Sequence, residues 1–417
     1  MNVKGLQKRE ILMDSGFNFR KVLLLGFGFF AISLTWSVYN AFMPKILSDY
    51  IGSSALIGFI MTFDNYFALF LQPAVGMYSD RLNSRFGRRM PFIMIGMPLA
   101  ALFTFLIPFH QSLIILIFFI VCMNLSMSVF RSPVIALMPD LTRTEHRSKA
   151  NSVINFMGGI GALIAFFIGS ILWDYNEGFP FYLAGFLILI SFVILFHFIK
   201  EKRDVINYEV SEEKIDFKVG LRSAIKNKNA LFLLLAILSW FIGFNGIETF
   251  FTRYGEEYLN IKVSAASFSF AFISLAFLIF AIPAGFIGTK IGKKRSIVIG
   301  IIGIIFGFIV LFFLKDILFI RFVFLLMGCF WALVNINSYP FLAEMAPVGF
   351  IGTYTGLYYL FASIANIVSP PLLGAILDFI GFKYMFLYGT FFIIVSLFMI
   401  LKVRDNTTIE RNSNASA

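Results

Sequence analysis

The chain has 417 residues, of which 59% are hydrophobic and only 14% charged, against about 25% charged in an ordinary soluble domain, so a water-soluble globule could not hide its apolar surface. The net charge of +11 argues for a nucleic-acid partner only if the basic residues are gathered, and here they are scattered over separate short segments. Direct ATP drive is excluded too, because neither a glycine-rich phosphate loop nor a nucleotide-binding unit interrupts the sequence.

The N-terminal segment, residues 1–19, carries Lys4, Lys8, Arg9, Glu10 and Asp14 and lacks the short apolar core and small-residue cleavage site of a signal peptide. Twelve apolar stretches follow, each long enough at 1.5 Å rise per residue to cross a hydrocarbon core of about 30 Å. They predict spans at 20–43, 55–79, 92–109, 112–138, 150–173, 180–199, 229–251, 263–286, 295–314, 317–342, 351–376 and 383–402. Polar and apolar residues do not alternate within them, which excludes the strands of a membrane barrel. The expected class is an all-α integral membrane protein. Its first six spans make one bundle (20–199) and its last six another (229–402), joined by a polar loop at 200–228 and followed by a polar tail at 403–417. The loop is expected to hold an amphipathic helix at 217–225, and the tail to be disordered.

Lysine and arginine set the orientation. With the spans drawn, only Lys45, Arg253, Lys262, Lys315 and Lys383 fall on the side away from the termini, and only Arg131 and Arg321 in the interior of spans; every other one of the 34 lies on the side of the termini and the central loop, some of them at span ends. Those parts are therefore expected in the cytoplasm, and the protein in the cell membrane. Cys122 and Cys329 lie on different spans, where a thiol behaves as a small apolar side chain, so neither a disulfide nor a metal site is expected. His110, His146 and His197 have no partner constellation, and no nucleophile with a base can be assembled, so the chain does not read as an enzyme.

A weak internal repeat runs through the loops. After the second span the sequence reads GMYSDRLNSRFGRRMP and after the eighth GFIGTKIGKKRSIV, and Gly87, Arg88 and Arg89 match Gly292, Lys293 and Lys294 at an offset of 205. Asp140 after the fourth span matches Glu344 after the tenth at an offset of 204. Two similar bundles facing each other, with a path between them, are the layout of a membrane transporter.

The pattern GxxxDRxxxRxGRR resembles the signature of the major facilitator superfamily between its second and third helices. The runs FDNYFALFLQPAVGMYSDRLNSRFGRRMPFI, RSPVIALMPDLTRTEHRSKANSVINFMGG, GFNGIETFF and FWALVNINSYP resemble bacterial members of the branch that holds plant sucrose carriers and glycoside/cation symporters. The resemblance implies uptake of a sugar, a disaccharide such as sucrose or maltose, coupled to H+ and without a cofactor, by a monomer. Plant members carry a coupling acid midway along the fourth helix and an arginine eleven positions later, whereas this chain has Asn124 and Ile135 there. The plant coupling scheme cannot be copied, and Arg131, one turn before Ile135, is the candidate replacement for that arginine.

An ionised group at the centre of a span costs about 2.5–3.5 kcal/mol on insertion scales, so each one present needs a partner or a task. Asp64 lies near the midplane. Two roles are open for it: the proton-coupling site, or a structural pair with Arg131, which shares a face with Asn124 and Ser128. With Asn65 it could also form an oxygen-rich Na+ site. Glu248, on a face with Asn245, lies nearer the outer third of its span and suits a gate or a sugar-hydroxyl acceptor as well as a proton site. Arg321 reads as an interfacial anchor.

A sugar needs hydrogen-bonding groups and an aromatic face gathered in a cleft. Candidates are Trp36, Tyr39 and Asn40 on the first span, Asn155 on the fifth, Asn335, Asn337 and Ser338 on the tenth, and Tyr358, Tyr359 and Asn366 on the eleventh, with Asn65, Asn124 and Asn245. Singly, such residues more often tie helices together. A drug or lipid exporter of the same fold would favour a more apolar cleft. The loop charges Asp80, Arg81, Arg85, Arg88, Arg89, Asp140 and Arg147 read as an inner gate that pairs across the bundles in one state and separates in the other.

Overall fold

The computed structural model describes residues 18–143, 146–201, 226–347 and 350–404. The expected helix at 217–225, the segment before residue 18 and the tail beyond 404 lie outside these residues. Twelve helices are long and apolar enough to cross a membrane among the described residues: α1 Phe19–Ser48, α2 Ser54–Arg81, α3 Met90–Phe109, α4 Leu113–Leu141, α5 Lys149–Tyr175, α6 Phe179–Phe198, α7 Lys228–Glu257, α8 Val263–Ile291, α9 Lys293–Phe313, α10 Ile317–Ala343, α11 Gly352–Ile380 and α12 Phe382–Lys402. The face at which α1 begins and α12 ends carries most of the arginines and is called the basic face below.

Local chemistry sets the ends. Asn18, Ser53, Ser112, Asn227 and Asp316 each accept a backbone N–H in the first turn of the helix that follows, which satisfies donors that have no partner inside the helix. Gly87 and Gly292 take φ of +114° and +96°, a left-handed conformation that glycine adopts without a Cβ penalty. They are the two glycines matched at the 205-residue offset, so the repeat read from the loops is a repeat of backbone conformation.

Packing repeats as well. In the first half α1 packs on α5 and α6, α2 on α4, and α3 on α4 and α6; in the second α7 packs on α11 and α12, α8 on α10, and α9 on α10 and α12. One continuous apolar core runs through both halves, from Leu34, Phe42 and Phe130 to Trp240, Phe251 and Phe386. This is the all-helical, two-bundle architecture expected from the sequence.

The halves meet through α1 with α7, α2 with α11 and α5 with α8. The α2–α11 contact is uneven. The helix breaks at Thr62 into Ser54–Met61 and Phe63–Arg81. The short first piece packs extensively on α11, while the long second piece barely touches it. The halves therefore close at the opposite face and diverge toward the basic face.

Candidate functional site: a polar cleft between the halves

Asp64 follows directly on the break in α2. Its Oδ1 accepts a hydrogen bond from Asn65 Nδ2 at 2.8 Å. Arg131 of α4 is its electrostatic neighbour, without closing to a direct ion pair, and the charge of Asp64 also reaches Tyr39 of α1. Arg131 in turn faces Tyr359 of α11, in the other half. Tyr359 is 62% exposed. Tyr358, stacked edge-on to Tyr359 with centroids 5.4 Å apart, is buried and shares a 3.1 Å hydrogen bond with Ser338 of α10.

Glu248 of α7 forms a second centre that also spans the halves, because its partner is Asn40 of α1. One turn along α7, Asn245 donates to Asn366 Oδ1 of α11. Arg253 of α7 bonds to Ser54 of α2, which brings those two positions level. Five residues deeper, Glu248 then lies about 7 Å below that level, and Asp64 about 15 Å below it at helical rise. Each half thus contains one half-buried acid in a span, at two depths.

The other candidates separate. Tyr39 is buried and donates to Ile60 O at 3.5 Å, with Asn124 of α4 alongside; Asn124 is fully buried and neither of its amide atoms closes a hydrogen bond. Trp36 packs edge-on against Tyr39 at 6.0 Å. Asn155 is exposed and bonded to Asn151 O of its own helix. Asn335 lends its carbonyl to Ser338. Asn337 is turned away from the cleft, and its Nδ2 donates to Ala284 O at 3.1 Å, Ser296 Oγ at 3.2 Å and Leu333 O at 2.9 Å. That side chain ties α8, α9 and α10 together.

At the basic face the described ion pairs run within one half. Arg88 Nη2 meets Asp140 Oδ1 at 2.7 Å and Arg89 Nε meets Asp140 Oδ2 at 3.1 Å, while Arg89 also pairs with Asp80 and Ser79. The equivalent pair in the second half is Lys293 with Glu344, the same two positions that the offsets matched. Arg81 is exposed, Arg85 lies over the Phe86 ring at 4.6 Å, and Arg147 lies in the helical turn just ahead of the α5 span. Sequence reasoning assigned Glu201 to the linker, yet it is 1% exposed, and its carboxylate accepts the backbone N–H groups of Arg88, Arg89 and Met90 at 2.9–3.0 Å.

At the opposite face three polar contacts cross between the halves: Lys45 to Glu256 at 3.0 Å, Ser264 to Asp174 at 2.7 Å, and Asp378 to the start of α2. Arg321, read as an interfacial anchor, donates to Ser269 Oγ at 3.1 Å and stacks on Phe268. Cys122 and Cys329 are both free.

Two helical bundles that close on each other at one face and diverge toward the other have the layout of a membrane transporter, a class that carries solutes and is not an enzyme. The sequence pattern of the Major Facilitator Superfamily matches residues 25–370 and 257–417, and the chain belongs to that family. Among curated proteins, it is 23% identical over 401 residues to an uncharacterized MFS-type transporter of Methanocaldococcus jannaschii, covering 92% of this chain and 94% of the relative. It is 24% identical to multidrug resistance protein 2 of Bacillus subtilis, covering 89% and 92%. It is 25% identical to the human proton-associated sugar transporter A, over 40% of this chain and 24% of the relative. Its fold matches the crystal structure of the nucleoside transporter NupG at TM-score 0.74, with 14% identity, 93% of this chain covered and 99% of the other.

Proposed function

We propose that the protein is a secondary active transporter of the cell membrane that takes up a sugar, a disaccharide such as sucrose or maltose, together with protons by alternating access. The observation that carries this reading is the pair of half-buried acids, Asp64 and Glu248: Asp64 reaches the other half through Arg131, which has Tyr359 as its electrostatic neighbour, and Glu248 has Asn40 of the other half beside it. Closing the cleft changes the surroundings of both acids at once, which couples protonation to conformation. Tyr359 offers an aromatic face, and Asn40, Asn65, Asn245 and Asn366 offer hydroxyl partners, which suits a polyol better than an apolar drug. The partial likeness to a proton-associated sugar transporter supports the same class.

The basic face is assigned to the cytoplasm on the lysine and arginine count, with both termini there and a monomer as the working unit. The cleft, open on that side, is then in the inward-facing state. The charges of the inner gate, Arg88, Arg89, Asp80 and Asp140, are paired within their own half here and are assigned cross-half partners in the outward-facing state. Asn65 turns its amide nitrogen toward Asp64, an arrangement that favours a hydrogen-bonded, protonatable acid over an oxygen cage for sodium.

The test is uptake of labelled sucrose and maltose into proteoliposomes under an inward proton gradient, with sodium replaced by choline in a parallel arm. Proton-driven accumulation is expected in both buffers. No accumulation of either sugar under a proton or a sodium gradient would transfer the assignment to another solute, with a nucleoside and a lipophilic cation as the next probes.

A further inference from the structure

The break at Thr62 leaves Ser54–Met61 as an eight-residue piece whose principal packing partner is not its own bundle but α11 of the other half. The contact is at backbone distance. A Cβ on Gly58 would run into the carbonyl of Pro370, and one on Gly374 would run into the carbonyl of Ser54, so only glycine at these two positions lets the helices meet. Across this seam Asp378, at the end of α11, accepts three hydrogen bonds from the start of the piece: Ser53 Oγ at 2.8 Å, Ser54 N at 2.7 Å and Ala55 N at 3.0 Å. A carboxylate at a helix N-terminus satisfies orphan donors and favours the helix dipole, and here it comes from the opposite half of the molecule. Arg253 of α7 adds a bond to Ser54 Oγ at 3.1 Å, its other nitrogen held by Glu257 at 3.0 Å and its guanidinium over Phe382.

At the other end the piece is tied to its own half, with Tyr39 of α1 donating to Ile60 O and the amides of Asn65 and Tyr66 donating to Thr62 O. Thr62 has φ −91° and ψ 1° and caps the second piece without a side-chain hydrogen bond; its hydroxyl turns back to Phe59 O at 2.7 Å. Two residues further on stands Asp64. A segment bound at its far end to one half and joined through a helix break to the other is a hinged element.

We infer that Ser54–Met61 is a gate segment that pivots at Thr62 and is latched shut by the Asp378 carboxylate, so that opening of this face requires Asp378 to release the start of α2. This assignment stands independently of which solute or ion is carried. Release of an eight-residue helix, about 12 Å long, through a tilt of about 25° moves its tip by about 5 Å, an opening within the range of gate motions.

The experiment uses the full chain in liposomes, with Cys122→Ser and Cys329→Ser as background and pulsed electron spin resonance as the distance readout. One spin-label pair joins Leu56→Cys on the gate segment to Ile114→Cys at the start of α4 in the same half. A control pair joins Phe70→Cys, on the second piece of α2, to Ile114→Cys. Leu56, Phe70 and Ile114 are all exposed. With Asp378→Asn or Asp378→Ala the Leu56–Ile114 distribution is expected to gain a population displaced by about 5 Å while the Phe70–Ile114 distribution stays fixed, which also shows that the bundle is folded. An unchanged Leu56–Ile114 distribution in both variants, with or without separation of the halves, overturns the proposal, since α2 would then move as one rigid helix.

Discussion

Glu201→Ala should weaken the protein well beyond what the loss of a linker residue would do. The carboxylate is 1% exposed and serves three backbone donors, with Oε1 accepting from Arg88 and Arg89 and Oε2 from Arg89 and Met90, all at 2.9–3.0 Å. The helix that begins there, α3, has no side-chain cap of its own, so Glu201 closes its N-terminus from a distance of more than a hundred residues in sequence. A hydrogen bond to a charged group contributes about 1.5–3 kcal/mol net. Three donors sharing one carboxylate do not add, and truncation admits water to the exposed amides, so a loss of about 3 kcal/mol is expected, over a hundredfold in the folded-to-unfolded ratio. Glu201→Gln keeps an acceptor oxygen but removes the charge at the helix terminus, and should cost about 1–2 kcal/mol. Gly87→Ala puts a Cβ into the same carboxylate at φ +114°, so combining it with Glu201→Ala should cost less than the sum of the two. The assay is reversible unfolding in mixed micelles with SDS as denaturant, followed by circular dichroism. A Glu201→Ala protein within about 0.5 kcal/mol of the parent, the usual range for an ordinary surface change, would refute the capping argument.

Asp140→Asn should disturb the transporter more than Glu344→Gln, because Asp140 is nearly buried and holds both Arg88 and Arg89, whereas Glu344 is exposed and holds Lys293 alone; transport rates of the two variants in one vesicle preparation test the order, and equal losses would contradict it. Gly374→Val should leave a folded protein that cannot close its opposite face, with transport down at least about tenfold and the cleft reachable by membrane-impermeant thiol reagents from that side. Asn337→Ala should lower stability by about 1–3 kcal/mol through the loss of a buried donor set while leaving substrate affinity unchanged, and a raised substrate Kd at intact stability would return Asn337 to the cleft.

Much of the architecture was legible because the bilayer imposes a single strong rule, a run of apolar residues long enough to cross it. Hydropathy locates all twelve helices, and most differences lie at the ends. Helix α7 was expected to stop at 251 and continues through Arg253, Glu256 and Glu257. Arg253 and Glu256 are held by Ser54 and Lys45 of the other half, and Glu257 pairs with Arg253; such partners do not register in a hydropathy window. The repeat was legible for a related reason: Gly87 and Gly292 both keep a positive φ, and Arg88–Asp140 and Lys293–Glu344 keep the equivalent contact, so the offsets survive in local chemistry. The cleft was partly legible, since ionisable residues in spans are few and Asp64, Arg131 and Glu248 stand out for that reason. Asparagine carries no comparable signal. Asn366 and Asn337 look alike in sequence, yet one meets Asn245 and the other ties three helices together. Glu201, Asp378 and the break at Thr62 were missed because each acts through a partner at least a hundred residues away or through backbone geometry, and neither leaves a periodic trace.

The central claim, that Asp64 links proton movement to solute movement, is tested most directly by comparing two modes of transport in the Asp64→Asn protein. Proton-driven accumulation of labelled sugar and equilibrium counterflow are measured in the same proteoliposomes, the second mode needing alternating access but no driving ion. The account predicts that accumulation is lost while counterflow persists and becomes insensitive to pH. Accumulation at the parent level with its proton dependence intact would contradict it, and would leave Asp64 as a structural partner of Arg131.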